Sequence, residues 1–565
     1  MIRSTFLFLS PSETSLQYPG EIASLPLNLG LGVICGYLEQ KGITVGMNDL
    51  NVSLSQLFGN ADRKRLEAVY EYERFKNYLN TGEDAELTQL IEELTVDIGF
   101  ESYDSYGVSI GADFSFLQIQ FGFLLAKYLK VKYKKLVFVG GNNISFLFIF
   151  QDVFRELWEL VLQQFEFVIK GAGERVIYEI IKSLNNGAEN DIMKKIPGLV
   201  FSLKGGEIKA NDEMKPIVVR PNWSGFDMSY YKRFLKKDKE GKLLPENLVY
   251  FFKWPDTYTG SPGQAINRYN RNSGIDLEPT LILPYIFNYN CPYNCAFCTQ
   301  SDYDRGSIVG GDPDQVLNDI LILQKKYDTK YFYFLNNAFN YSIKFVNEFC
   351  HKVIENNVEI YWSDCGRFNN LTYERLELMK KAGCVKLTFG FESGSQKIID
   401  LIDKKIDLNH AKRVLQWCHD LGIWSDIEVI IGLPQELDED FEETCHFIRE
   451  NKENINYFWV NEYFVVPNSL IGRYPKRYGI ELLKGITNYK KLLYKNLEFL
   501  QSNKTNIMTS NSKLYGFNEI GRRSYNEIVK SDRQKIVELN KLQNREFSQV
   551  SKFYSAIMNR ESSSD

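Results

Sequence analysis

The sequence predicts an α/β chain in two parts, a doubly wound parallel sheet followed by a partial (βα)6 barrel, with a helical tail behind them. Three observations carry this expectation. Short apolar runs alternate with amphipathic stretches along most of the chain, the pattern of buried parallel strands and their crossover helices. The alternation runs twice, with a stretch of Pro and Gly turns between the two series (Ile196-Pro197-Gly198, Lys204-Gly205-Gly206, Ser261-Pro262-Gly263). The 565 residues exceed what one ordinary core fills and suit two or three domains.

In the first series, apolar runs at 3–9, 43–48, 105–110, 135–139 and 164–169 read as strands, and segments near 28–41, 115–131, 151–162 and 173–184 as helices. They make residues 1–200 an open sheet of the flavodoxin or Rossmann kind, whose ligands sit beyond the carboxyl ends of its strands. Residues 60–96, rich in Glu, Lys and Leu with few breakers, read as a helical insertion. Residues 201–275 form a connecting region of short strands and turns. The second series occupies 276–484, with strands at 280–288, 330–335, 358–363, 385–391, 426–431 and 457–466. Helical patterns fall between them at 313–327, 342–356, 372–382, 409–421 and 437–450. The chemistry of such a barrel lies at its C-terminal strand ends. Residues 485–565 read as a helical C-terminal region.

Composition narrows the class. Hydrophobic residues at 44% with 25% charged describe a folded globular chain. A net charge of −5 offers no electrostatic case for nucleic acid or an anionic membrane as partner. The apolar start is stopped by Ser10-Pro11, too early for a signal-peptide core, and no apolar stretch reaches the roughly 18 residues of a membrane span. A cytoplasmic protein is the expectation. Aromatic residues at 14% suit stacking surfaces for flat cofactors and well-filled sheets alike.

Nine cysteines are an odd number, and three of them crowd into eight residues, which argues for metal over disulfides. The segment is Asn288-Tyr289-Asn290-Cys291-Pro292-Tyr293-Asn294-Cys295-Ala296-Phe297-Cys298, between the first barrel strand and its helix. Pro292 and the asparagines disfavour a continuous helix, so the loop can wrap its sulfurs around one object. Thiolates suit iron–sulfur clusters or zinc. Three thiolates on a cubane leave one iron open to a reacting molecule, whereas a structural zinc site is closed by a fourth ligand. No fourth ligand lies near: the next cysteine is Cys350 and the next histidine His351. Cys418-His419 and Cys445-His446 each lie inside a helical pattern, where neighbours point about 100° apart; a core cysteine beside a surface histidine accounts for both.

The cysteine loop resembles the signature of the radical SAM superfamily, down to the aromatic Phe297 before the third cysteine. The resemblance implies that Cys291, Cys295 and Cys298 hold a 4Fe-4S cluster. It implies too that S-adenosylmethionine (SAM) chelates the open iron and is cleaved by one electron to a 5′-deoxyadenosyl radical. Phe297 is then a SAM contact. Phe389-Gly390-Phe391-Glu392-Ser393-Gly394-Ser395 resembles the fourth-strand motif and offers Glu392 to SAM's amino or ribose groups. Ile430-Ile431-Gly432-Leu433-Pro434-Gln435-Glu436 resembles the fifth-strand motif, in which Ile430 and Gly432 meet the adenine. The resemblance also makes Asn336 a SAM contact in the second-strand region, although related enzymes often carry an acid where Asn336 or Asn337 stands. Arg367, ending strand three, is a candidate partner of the SAM carboxylate, with a surface salt bridge as the alternative.

The first series resembles the cobalamin-binding domain that precedes many radical SAM cores. The resemblance rests on Pro26-Leu27-Asn28-Leu29-Gly30-Leu31-Gly32, Val137-Phe138-Val139-Gly140-Gly141-Asn142, Gly171-Ala172-Gly173-Glu174 and Ile196-Pro197-Gly198-Leu199 in that order. It implies cobalamin contacts at Ser10, Ser109, Gly140, Gly141, Gly171, Gly173 and Glu174. Glycines at strand ends admit a corrin or its nucleotide tail, and helix N-termini receive phosphate. All four histidines (His351, His410, His419, His446) lie beyond residue 350, so the Asp-x-His-x-x-Gly motif of histidine-ligated corrinoid proteins is absent.

Together these resemblances imply a cobalamin-dependent radical SAM methyltransferase acting on an unactivated carbon or phosphorus centre. A small-molecule or peptide substrate and a one-electron donor such as flavodoxin or ferredoxin are its expected partners; neither nucleic acid nor membrane is indicated. One alternative is a radical SAM enzyme of another reaction type, a cyclisation or ring rearrangement, with a corrin-free or substrate-docking front domain. Another, from a different class, is a non-catalytic corrinoid carrier or sensor, which leaves the open-iron triplet without a purpose. A methylthiotransferase carries a second cluster in front, and here only Cys35 precedes Cys291.

Overall fold

Parallel strands dominate both halves of the chain. The computed structural model describes residues 3–9, 27–50, 53, 65, 67–111, 116–185, 195–203, 206–235, 278–299, 308–485, 487–501 and 514–543. These residues divide into two compact units. The first holds the described residues up to Lys232 and the helix Tyr489–Gln501; the second holds 233–235, 278–485 and 514–543.

The first unit is built on a seven-stranded sheet: β1 Arg3–Leu9, β2 Thr44–Asp49, β3 Ser105–Ile110, β4 Leu136–Gly140, β5 Phe167–Ile169, β6 Leu199–Ser202 and β7 Ile208–Ala210, in the order β2-β1-β3-β4-β5-β6-β7. The strands β1 to β5 pair in parallel, and the winding reverses between β1 and β3, where ligands collect in open sheets of this kind. The sheet is mixed rather than parallel throughout. Gly198, at φ +78°, leads into β6, and β6 and β7 add antiparallel at one edge. The helix expected at 151–162 starts later, at Arg155–Gln164, and a further helix, Asn142–Ile149, precedes it.

Among its described residues the insertion expected at 60–96 forms three helices, Glu67–Tyr70, Tyr72–Thr81 and Ala85–Leu94. Asp84 caps the third, accepting from the amides of Glu86 and Leu87. The insertion covers part of a helix that is buried on every side, Phe116–Tyr133, whose residues 116–129 are all buried. Glu92 of the insertion accepts from Tyr128 Oη at 3.1 Å, and Phe116 meets Tyr489 at 6.1 Å between ring centres. The C-terminal region is thus not one helical tail. Its helix Tyr489–Gln501 packs in the first unit, while the strand Gly516–Glu519 and the helix Tyr525–Leu542 belong to the second.

In the second unit a short antiparallel pair, β8 Arg233–Leu235 and β9 Glu278–Thr280, precedes the main sheet. That sheet has six parallel strands: β10 Ile282–Tyr285, then, after the two-residue pair β11 Asn288–Tyr289 and β12 Val309–Gly310, β13 Tyr331–Phe334, β14 Tyr361–Gly366, β15 Cys384–Glu392, β16 Trp424–Ile431 and β17 Tyr457–Glu462. Each strand neighbours the next in chain order, as in an incompletely closed (βα)6 barrel. The pair β18 Ile480–Leu483 and β19 Gly516–Glu519 follows. Side chains of Asp312, Ser342, Thr372 and Asp407 cap four of the crossover helices. Alternation along the strands separates two faces. Phe391 packs on Phe447 of the helix Asp438–Glu450, 4.5 Å between ring centres. On the other face Lys386 of β15 and Asp426 of β16 form a buried ion pair at 2.7 Å. Among the described residues no helix is long and apolar enough to cross a membrane.

Candidate active site

The cysteine loop leaves the carboxyl end of β10 and is held by backbone bonds rather than by its own helicity. Ala296, between the second and third cysteines, donates its amide to Ile402 O at 2.7 Å and accepts from the Ile471 amide at 3.0 Å. Asn290 enters the loop in the left-handed region at φ +68°, and its carbonyl accepts from Asn337 Nδ2 at 3.1 Å. Cys295 is buried, while Cys291 and Cys298 are half-buried, and all three are free thiols. Burial pushes the Cys291 thiol up, with the Tyr293 amide, Arg367 and Lys404 acting against that rise.

Two buried cations sit against this loop. Arg367 Nη1 lies 3.6 Å from Cys295 Sγ, and its guanidinium stacks 3.7 Å from the centre of the Tyr293 ring. Asn340 fixes the Arg367 backbone from both sides, accepting from its amide at 2.9 Å and donating to its carbonyl at 2.8 Å. Arg367 is therefore a buried member of the site and not a surface salt bridge. Lys404 is the residue sequence reasoning missed. Its ammonium lies 5.8 Å from the centre of Phe297 and pairs with Glu392, both side chains less than a tenth exposed. Burial alone would lower the Lys404 ammonium, and the charges of Glu392 and Cys295 hold it above its ordinary range instead. Nothing in Asp403-Lys404-Lys405 marks it in advance, since a lysine in a turn is ordinarily solvated.

Glu392 reaches this position through a backbone irregularity. The register of β15 against β16 shifts between Gly390 and Glu392, and Glu392 takes φ +68°, a left-handed conformation costing a non-glycine residue about 1–3 kcal/mol. Bulges of this kind re-aim a side chain. Gly390 leaves room beside it: a Cβ there would crowd Lys404 Nζ and stand 2.7 Å from Glu392 Oε1.

Asn336 is fully buried. Its Oδ1 accepts from the Phe287 amide at 3.1 Å, and its Nδ2 donates to Asp364 Oδ2 at 2.6 Å. Asp364, one strand further on in β14, is a buried carboxylate held by the Asn336 amide. Ile430 and Gly432 lie at the end of β16, Gly432 in the left-handed region at φ +81°. Strand ends β10, β14, β15 and β16 accordingly bring Cys295, Phe297, Arg367 and Glu392 into one cluster, with Ile430 and Gly432 at the neighbouring end.

The donor chemistry fits an iron–sulfur cluster: three thiols on one loop, faced by buried cations that offset thiolate charge. Among the described residues no three His, Cys, Asp or Glu side chains converge as they would around a single ion. Thiolates that each bind their own corner of a cubane do not meet at a point.

The front-unit residues gather at adjacent strand ends. Ser109 of β3 lies directly opposite Gly140 of β4. Gly141 follows at φ +112°, where a Cβ would stand 2.5 Å from Ile110 O. Gly171, at φ +77°, follows β5 and receives the Ser145 hydroxyl oxygen on its amide at 3.0 Å. Gly173 opens the helix Gly173–Asn185, and Glu174 is buried beside it, its acid raised by burial against bonds from its own amide and that of Ile217. The glycines at 141 and 171 are thus demanded by protein backbone and side chains, while Gly140 has only ordinary contacts around it. Ser10 lies outside the described residues. Cys418 and Cys445 are fully buried in the second unit, and His446 pairs with Glu450 at 2.9 Å on an exposed surface.

Residues 285–448 match the Radical SAM superfamily. The chain is 28% identical over 321 residues to an uncharacterized methyltransferase of Pyrococcus horikoshii, covering 57% of this chain and 59% of that one. It is 23% identical over 289 residues to the anaerobic magnesium-protoporphyrin IX monomethyl ester cyclase of Rubrivivax gelatinosus, covering 50% and 44%. The chain therefore spans about half the length of these curated relatives. In fold it is similar to the radical S-adenosylmethionine methyltransferase TsrM of Kitasatospora setae, solved with cobalamin and a [4Fe-4S] cluster. That likeness has a TM-score of 0.54, 14% identity, and covers 85% of this chain and 77% of the other.

Proposed function

We propose that this chain, a radical SAM superfamily member through residues 285–448, is a cobalamin-dependent radical SAM methyltransferase acting on an unactivated carbon or phosphorus centre. The observation that carries the reading is the three-cysteine loop at the end of β10, packed against buried Arg367, Lys404 and Glu392. When bound, the cluster supplies the electron that cleaves SAM to a 5′-deoxyadenosyl radical, and cobalamin carries the methyl group.

The chain's own residues bind and orient. Cys291, Cys295 and Cys298 hold the cluster, and Arg367 and Lys404 balance its thiolate charge from a dry position. Glu392, aimed by the β15 bulge, accepts from SAM's amino or ribose groups. Phe297 and Ile430 supply apolar contact, and the backbone at Gly432 meets the adenine. Asn336 acts through Asp364, which it holds by a hydrogen bond. In the front unit the ends of β3, β4 and β5 present Ser109, Gly140, Gly141, Gly171, Gly173 and Glu174 toward cobalamin. That unit's described residues contain no histidine that would serve as a ligand to the corrin. The substrate is a small molecule or peptide, and a one-electron donor such as flavodoxin or ferredoxin reduces the enzyme.

The test is anaerobic. Iron- and sulfide-reconstituted protein should turn brown and, once reduced, convert SAM to 5′-deoxyadenosine. Equilibration with hydroxocobalamin and desalting should leave about one corrin per chain. SAM cleavage without corrin retention would support the alternative of another radical SAM reaction; corrin retention without SAM cleavage would support a carrier.

A further inference from the structure

We propose that the helix Tyr525–Leu542 is a working part of the SAM site, with Asp532 and Lys535 as positioning residues that hold the turn 432–436 in the shape that receives the nucleoside. The inference rests on the reading above, in which the backbone at Gly432 meets adenine.

The turn is closed by the Glu436 amide, which donates to Leu433 O at 3.1 Å, and it is braced by residues 519–535. Its Gly432 amide donates to Glu436 Oε2 at 3.1 Å, and that same oxygen lies 3.4 Å from Lys535 Nζ. Lys535 also reaches Asp438 Oδ1 at 3.3 Å. The Gln435 amide donates to Glu519 Oε1 at 2.8 Å. Arg523 Nη2 donates to Glu436 O at 2.9 Å and to Glu519 Oε1 at 2.8 Å. Asp532 closes the fourth side: a Cβ built on Gly432 would run into its carboxylate. Residues 519–535 thus grip a five-residue turn at the backbone of 435 and 436 and at the floor of 432.

The chemistry of this contact is unlike plain packing. Ile528 and Leu539 of the same helix are buried apolar residues that would dock it alone. Yet Glu436, Asp532, Lys535 and Glu519 are all buried too, and the Lys535 ammonium lies against the carboxylates of Glu436 and Asp438. Buried networks of this kind are costly to assemble and hold a unique geometry when complete. Here the charged groups converge on the one turn at the end of β16 that carries Gly432.

The experiment uses the full chain with its cluster reconstituted, and SAM itself as probe in equilibrium dialysis. Asp532→Asn and Lys535→Met should each weaken SAM binding by about tenfold or more, a difference of about 1.4 kcal/mol. Iron per chain should stay at the unsubstituted value, KM for SAM should rise more than kcat falls, and Lys535→Arg should restore most of the affinity. Leu539→Ala loosens the same helix through its apolar contact and should lower the unfolding midpoint with little change in SAM affinity. SAM affinity within twofold of the parent in both charged variants would overturn the inference. If the Met variant does not fold, amide exchange at Gly432 and Gln435 in the Asn variant decides. Faster exchange supports the clamp; unchanged exchange with unchanged SAM affinity removes it. An unsubstituted chain that binds no SAM would instead overturn the proposed function.

Discussion

Lys404 and Glu392 form a buried ion pair at the mouth of the barrel, their side chains 7% and 5% exposed. A carboxylate and an ammonium this far from water persist only as partners, because either alone would carry an uncompensated charge.

Lys404→Met should therefore lower unfolding free energy by about 3–5 kcal/mol, the usual loss when one member of a buried pair is removed. Adding Glu392→Gln should recover part of that loss, since the stranded carboxylate is then neutral. Denaturant titration of the two single variants and the double variant measures the coupling directly. Additive losses would show that the two groups do not interact.

Replacing Cys295 with Ala should reduce bound iron to a small fraction of the parent value and abolish 5′-deoxyadenosine formation. Corrin retention should survive, because the front unit has its own core. Iron analysis and hydroxocobalamin binding on the same sample separate the two effects.

Glu436 should make stability pH-dependent. Burial, with Asp532 adding to it and Lys535 and the Gly432 amide opposing, pushes its acid up to about 7. The folded chain therefore holds a proton that the unfolded chain releases near its ordinary value of about 4.3. The stability this adds is fully present below that ordinary value and is lost as pH rises through 7, on the order of 3 kcal/mol at most. Glu436→Gln should flatten the fall in denaturation midpoint between pH 5 and pH 8; an unchanged slope would assign the dependence elsewhere.

Asn336→Asp should destabilise the fold. The new carboxylate would stand at hydrogen-bond distance from Asp364, and two carboxylates so close cannot both ionise. They would share a proton, raising the folded-state pKa of the pair. Stability should thus be near the parent's in acid and fall as pH rises toward neutral. Midpoints at pH 4.5 and pH 7.5 give the comparison.

Much of the fold was legible because periodicity is a local property. The apolar runs at 105–110 and 385–391 became β3 and most of β15, and 313–327 became a helix with the same limits. The cysteine triplet was legible for the same reason: three thiols in eight residues declare a shared object wherever the chain runs. The antiparallel edge strands β6 and β7 were not, since two short apolar stretches carry no sign of their pairing direction. Nor was the division of the C-terminal region between the units, because a helical pattern does not say which surface it will cover.

The site shows the boundary most clearly. Local spacing singled out the cysteine loop, and the family resemblance pointed to Glu392 and Gly432 at strand ends. Only the tertiary structure decided that Arg367 lies inside against Cys295, that Asn336 bonds the buried Asp364, and that Lys404 balances Glu392. The contact of Asp532 with Gly432, a hundred residues away, belongs with these. Backbone preference is written in neighbouring residues, whereas the partner of a buried charge is chosen by where the folded chain returns. The energy of that choice depends on excluded water and short distance, neither of which a sequence displays.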